Sequence, residues 1–343
     1  MGLGEIKESP VPSHRLLHPD LERLLTKAAA NAPQWPSYQG VSQLVGETVD
    51  KRCRVYVDAS LGPPAMQNAQ DVLVDADRVM KFNDKTFGVV GGYVDVIVFA
   101  LGGMTDGTGG ADHMGCDFST GAQIEVCASF GNSARCSGLF EAELSECSMN
   151  NQLCGLSTGE ALSRWCAMVV SNNALSDFAS APTWFADGMP DFVDTVDPTD
   201  RNYDSIGCGM AYLSWLMGNE KLTLDKIAQL MVHLGDTCTL AMLALVPATA
   251  WADFQAAIAA LPGGVTSDDP FGALGTPAPG PTPPPQPPPV PPAPGPGPAP
   301  APQPTTSMNE KAALYLFAIA QAVGDEETKA ELDDAVQEVH DTK

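Results

Sequence analysis

At 343 residues the chain is long enough for one large domain or two ordinary ones, and a hydrophobic fraction of 44% is that of a globular core, not of a disordered chain. The 42 acidic against 18 basic side chains give a formal net charge of -24, which repels nucleic-acid phosphates and anionic lipid surfaces, so no nucleic acid and no membrane are expected as partners. No window reaches 18 consecutive apolar residues and the first twenty residues hold no apolar export core, which predicts a soluble chain without a signal peptide.

Taken in chain order, residues 1–14 read as a flexible N-terminus and residues 15–265 as one α+β domain. Residues 21–30 have helical periodicity, 54–58 read as a short strand, and 65–82 as an amphipathic helix with Val72, Val79 and Met80 toward a core. "YVDVIVFA" (93–100) is a strong strand, and "AQIEVCASF" (122–130) alternates as a half-buried strand does. The glycine-rich "LGGMTDGTGGADHMGCDFSTG" between them reads as a loop. It lacks the Gly-Lys-Ser/Thr of a phosphate loop, so no nucleotide is expected. Beyond residue 135 the signals are helical, which gives a small sheet followed by a helical half.

Three helical-half segments are informative. "DTVDPTDRNYDS" (194–205) lacks calcium-hand spacing and reads as a polar loop, with Asp204 or Ser205 capping the next helix. "SIGCGMAYLSWL" (205–216) reads as a buried helix whose glycines permit close packing. Its Cys208, or Cys116, with His113 or His233 is the cysteine–histidine alternative. Residues 266–306 form a linker whose run "PAPGPTPPPQPPPVPPAPGPGPAPAPQP" cannot join helix or sheet ladders and spans roughly 85 Å as polyproline II. The chain then reads as a C-terminal helical hairpin, 307–343, with a Ser307/Glu310 capping box and a break at Gly324-Asp325. Its apolar first helix predicts self-association or docking on a partner.

Nine cysteines include no C-x-x-C pair, which argues against a zinc ribbon. Six of them lie between residues 116 and 166, a density compatible with a secreted mature form. Disulfides and buried free thiols both stay open, with at least one thiol left over.

The chemistry-bearing stretch is "GLFEAELSECSMNNQLCGLSTGEALSRWCA". Glu143 and Glu146 lie one helical turn apart and Glu160 opens a second helix. Carboxylates this close can divide into acid and base when their surroundings drive their pKa values apart. Glu146, Glu160 and His113, the last flanked by Asp112 and Asp117, also form a candidate ligand set for a hard cation. Arg164 is the candidate neutraliser. The plain alternative is that Glu141, Glu143 and Glu146 are partly solvated helix charges paired with Arg164 or Arg135.

These residues resemble the zincin metallopeptidases of the gluzincin type. Ala142-Glu143-Leu144-Ser145-Glu146 aligns with H-E-x-x-H, and "TGEALSRWCA" with Glu160 is similar to the helix supplying the third ligand. "TWFADGMPDFV" (183–193) resembles a segment of plant basic secretory-type peptidases, which implies substrate-side roles for Trp184 and Asp187 beside Arg164. The pattern is also similar to uncharacterised bacterial proteins carrying A-E-L-x-E and G-E-G-L-S-R. Both zinc histidines are replaced, by Ala142 and Glu146, so no zinc is expected from the motif. The resemblance implies a peptidase-derived, zincin-like domain with Glu143, Glu146, Glu160 and His113 as catalytic candidates, working as a carboxylate-dependent hydrolase or a peptide-binding cleft. The alternative is a non-catalytic interaction protein assembled through its C-terminal helices.

Overall fold

The computed structural model describes residues 33–275. The helix expected over 21–30, most of the proline-rich segment and the hairpin of 307–343 lie outside the described residues.

The N-terminal half is a mixed five-stranded sheet: β1 (Ser42–Glu47), β2 (Cys53–Asp58), β3 (Val94–Phe99), β4 (Ala111–His113) and β5 (Gln123–Cys127), in the spatial order β1-β2-β3-β5-β4. The central strands β2, β3 and β5 are parallel, and the two outer strands are antiparallel to their neighbours. Parallel neighbours need a crossover, and helix α1 (Pro63–Phe87) supplies the one between β2 and β3. It opens with Pro63 just inside its start and closes on Gly88, whose φ of 70° a residue with a Cβ would resist. Val72, Val79 and Met80 are buried, as the periodicity predicts.

Period-two alternation divides the strand side chains between two cores. Val55, Val57, Val96, Val98, Ile124 and Val126 face α1 and the helix that follows β5. Tyr56, Ile97 and Phe99 point to the other face, which the segment preceding β1 covers with Trp35 and Tyr38. That cover is anchored by Glu125 of β5, fully buried, which accepts from the Ser37 amide (2.9 Å), the Ser37 hydroxyl (2.5 Å) and the Tyr38 amide (2.6 Å).

The C-terminal half comprises α2 (Ser133–Ser148), α3 (Ser157–Ser171), the short α4 (Ala181–Ala186), α5 (Tyr203–Gly218), α6 (Leu224–Leu234) and α7 (Ala250–Ala259). Their core is aromatic: Trp184 stacks on Phe254 with ring centroids 5.7 Å apart, and Tyr212 meets the same ring edge-on at 5.1 Å. The indole N–H groups are not wasted, since Trp165 donates to Met210 O and Trp184 to Pro190 O, both at 2.9 Å. Residues 266–275, read from the sequence as the start of the linker, pack on this half. Asp268 accepts from the Ser180 and Ala181 amides at the head of α4, and Asp269 accepts from the Ser214 hydroxyl of α5. No helix among the described residues is long and apolar enough to cross a membrane.

The architecture is thus α+β, a small sheet and then a helical half, with two strands that the sequence reading missed. β1 is short and carries a register shift between Leu44 and Gly46, which breaks the alternation a strand is recognised by. β4 lies inside the stretch read as a loop, because three residues among glycines give no periodic signal. The cap of α5 is also corrected: Asn202, not Asp204 or Ser205, is the acceptor, and those two supply the amides it receives.

The glycines of α5 do allow close approach. A Cβ on Gly207 would lie 2.5 Å from Ser180 O, where α4 crosses, and one on Gly209 2.7 Å from Ala161 Cβ of α3. Gly207→Ala gains about 1 kcal/mol of helix propensity, yet overpacking against a backbone carbonyl costs about 1–3 kcal/mol. The expected outcome is a net loss of stability, read as a lower denaturant midpoint at unchanged slope.

Candidate functional site

Helix α2 begins at Asn132, whose side chain accepts from the Arg135 amide, and runs beneath β5 and β4. Helix α3 lies against it closely enough that a Cβ on Gly138 would sit 2.8 Å from Ser171 Cβ. This proximity, with β4 above, leaves a cavity of about 230 Å³. Its rim carries Gly110 and Ala111 from the sheet edge, Ala142 and Glu143 from α2, and Glu160 and Arg164 from α3. Leu139, Met168, Met210 and Phe178 form much of the apolar wall, and Asp268 closes one side.

Glu143 and Glu160 line this cavity, and Glu143 adjoins a second group at the end of β4. His113, at the end of β4, places Nε2 3.2 Å from Glu146 Oε2 and 3.7 Å from Glu143 Oε2. A proton on the ring or on a carboxyl must lie between those atoms. Its Nδ1 lies 3.6 Å from Cys147 Sγ, which contacts Gly121 O at 3.3 Å. Glu146 also lies near enough to Glu160 to oppose its ionisation. Arg164 donates from Nε to Glu160 Oε1 at 2.6 Å and from Nη1 to Phe178 O at 3.1 Å, and its guanidinium lies 6.0 Å from the Tyr203 ring centre.

The surroundings separate these carboxyls. Burial, and then the charges of Glu146, Glu160 and Asp112, push the Glu143 carboxyl well above the usual range, which favours its protonated form. Glu160 is pushed up to about 6 by burial, with Arg164 opposing and Glu146 adding to the rise. The two carboxyls that line the cavity are thus both biased toward their neutral forms, and Arg164 offsets the bias at Glu160.

A disulfide closes the far side. Cys116, in the connection from β4 to β5, is bonded to Cys154, between α2 and α3, and Cys154 Sγ lies 3.2 Å from Glu146 Oε2. The other seven cysteines are free and buried. Cys208 is enclosed in α5 with its thiol pushed up to about 12 by burial, and Cys116 is bonded, so neither serves as a nucleophile beside His113. The thiol that does touch His113 is Cys147, held protonated by burial and by Glu143 and Glu146. The sequence reading passed over it, although its position after Glu146 was visible.

Not every expected site residue arrives. Trp184 is fully buried in the helical core, and Asp187 is exposed and hydrogen-bonded with Asp204. Neither lines the cavity. Arg135 is committed to Asp177 and to Ala174 O, so it pairs with none of the helix glutamates. Glu141 departs furthest from a solvated helix charge: it is completely buried, and neither carboxyl oxygen has a hydrogen-bond partner.

For a metal, His113 and Glu146 of the expected set come together, with Cys154 rather than Glu160 as the third donor within 4.8 Å, and Ala142 offers no donor at the position of the first zincin histidine. In the oxidised chain, where Cys154 is bonded to Cys116, the imidazole and carboxylate are a hard-cation set. No family model, curated protein or solved structure matches this chain.

Glu141 generates a pH prediction. Burial holds its carboxyl well above the usual range, with Arg78 opposing only in part. The unfolded carboxyl loses its proton first as pH rises, so the native state binds more protons and stability falls. The loss begins above about pH 4, the ordinary glutamate value, and continues up to the folded value. Glu141→Gln removes this group, so its stability relative to the parent should improve as the pH is raised from about 5 to about 8. Denaturant titrations at the two values read the difference.

Proposed function

We propose that the chain is a peptidase-derived, zincin-like hydrolase in which carboxyl groups have taken over from zinc. What supports this reading is that Glu143 and Glu160, on facing helices, line one cavity beside an edge strand, with the Glu143 carboxyl held well above the usual range and Glu160 at about 6. The unpaired side of β4 offers backbone hydrogen bonds to an extended peptide laid along it. The apolar wall of Leu139, Met168 and Phe178 favours an apolar side chain next to the scissile bond.

In this reading Glu160 takes a proton from the attacking water, and the oxygen bonds to the peptide carbonyl carbon. Glu143 gives its proton to the carbonyl oxygen, and on collapse Glu160 passes the water's proton to the leaving amine as the C–N bond breaks while Glu143 takes its proton back from the re-forming carboxyl product. Arg164 keeps Glu160 oriented through Nε, and His113 with Glu146 holds the remaining proton of the cluster. These last three are positioning residues.

Turnover of a quenched peptide library is the test. Glu143→Gln and Glu160→Gln should each lower kcat/KM by at least about 100-fold. The acidic limb of the parent's pH profile should fall near pH 6, where Glu160 loses its charge. A chelator should leave the rate unchanged, because no step uses a metal. Peptide retained by the parent without cleavage would make the cavity a binding cleft, and unchanged turnover in both variants would remove these carboxyls from the chemistry.

A further inference from the structure

We propose that the Cys116–Cys154 disulfide masks a zinc-type metal site, which reduction of the bond assembles from Cys116, Cys154, His113 and Glu146. The donor set is not that of the zincin motif, since two of its members come from loops, and it does not depend on any hydrolytic activity of the cavity.

Distances carry the inference. One atom each of His113, Glu146 and Cys154 falls within 4.8 Å of the others, and Glu146 Oε2 is 3.2 Å from both the His113 nitrogen and the Cys154 sulfur. Zinc bonds of about 2.0–2.3 Å in a tetrahedron set donors roughly 3.3–3.8 Å apart. The three donors are therefore close to bonding positions, and Cys116 Sγ, one bond from Cys154 Sγ, supplies the fourth. In the oxidised state the contact between Glu146 and Cys154 is poorly matched, because a disulfide sulfur brings no proton to a carboxylate oxygen. A cation between them satisfies both.

The site does not depend on the disulfide to hold its loops together. The Asn151 amide donates to Cys116 O at 2.9 Å, and the Asn151 side chain donates to Asp117 Oδ2 at 2.7 Å. These bonds hold the two cysteine-bearing loops in register when the S–S bond is gone. On the other side of the imidazole, Nδ1 faces Cys147 Sγ, which itself donates to Gly121 O, so the ring has an outer contact of the kind ligating histidines have.

The chemistry balances. A dithiol reductant delivers two electrons and two protons, the S–S bond breaks into two thiols, and the dithiol leaves as its own disulfide. Metal binding then displaces the thiol protons to solvent, and two thiolates with one carboxylate and one neutral imidazole hold the ion. Two thiolates and an imidazole favour zinc over calcium or magnesium, whereas the oxidised carboxylate set favours the reverse.

The test uses full-length protein stripped of metal, either left oxidised or reduced with a water-soluble phosphine and desalted without air. Each sample is titrated with Co²⁺ and then Zn²⁺. One ion per reduced chain is expected, with a thiolate-to-cobalt charge-transfer band and the intense visible bands of a tetrahedral site, and no such band is expected from the oxidised chain. Cys154→Ser, His113→Asn and Glu146→Gln should each weaken binding by more than about 100-fold, the upper range for changes one shell further out. Because the other seven cysteines are buried, Cys208→Ser should leave the spectrum unchanged. Cys116→Ser frees Cys154 without any reductant and should bind cobalt through one thiolate, which separates the site from any loss of fold on reduction. Equal uptake by oxidised and reduced chains would overturn the proposal, as would cobalt bands lacking thiolate character or no uptake by both the reduced chain and Cys116→Ser.

Discussion

The constraint on which the rest of this structure turns is the contact between α2 and α3, because it removes glutamates from water faster than it supplies cations. Glu143 and Glu146 lie within reach of the His113 imidazole, Glu160 stands near Glu146, and Arg164 answers directly only Glu160. Like charges at such spacing cannot all be ionised in a poorly hydrated cavity, so protons are retained. Retained protons turn a cluster of helix acids into groups able to exchange them with something else. The edge strand β4 matters for the same reason: it holds His113 over the cluster and leaves one side of its own backbone unpaired.

The remainder of the fold keeps that helix pair in place. α1 and the inward strand valines form a floor under α2, while the aromatic core around Trp184, Tyr212 and Phe254 backs α3 and α5. Close contacts set the spacing, Gly138 between α2 and α3, Gly207 between α5 and α4, and Gly209 between α5 and α3, and a larger residue at any of them would force the facing helix away. Glu141 is the expense of this arrangement, a carboxyl sealed among helices without a hydrogen bond. Its burial shows that acidic character on α2 does not by itself mark the cavity.

Much of this was readable from residue order. The long strand and helix signals, the burial of Val72, Val79 and Met80, and the pairing of Glu160 with Arg164 one turn later follow from periodicity and spacing that survive folding. What was not readable depends on neighbours remote in sequence. β4 is a strand only because β5 pairs with it, and nothing in three residues among glycines announces that. The direction of the Glu141 side chain was hidden because i, i+2 and i+5 along α2 point to different sides, and only the placement of α1 decides which side is dry. Trp184 was read as a substrate contact from a local pattern, but an indole with a ring to stack on and a carbonyl to receive its N–H is more stable in the core.

Asp268 has a consequence for how this protein comes into being. It caps α4 and closes one side of the cavity from a position well downstream of every acidic group in the site. A chain made from its N-terminus can complete the sheet, α1 and α2 while residue 268 is still unsynthesised. The lining of the cavity is therefore complete only once the chain has been made past residue 268 and the segment after α7 has packed against the head of α4.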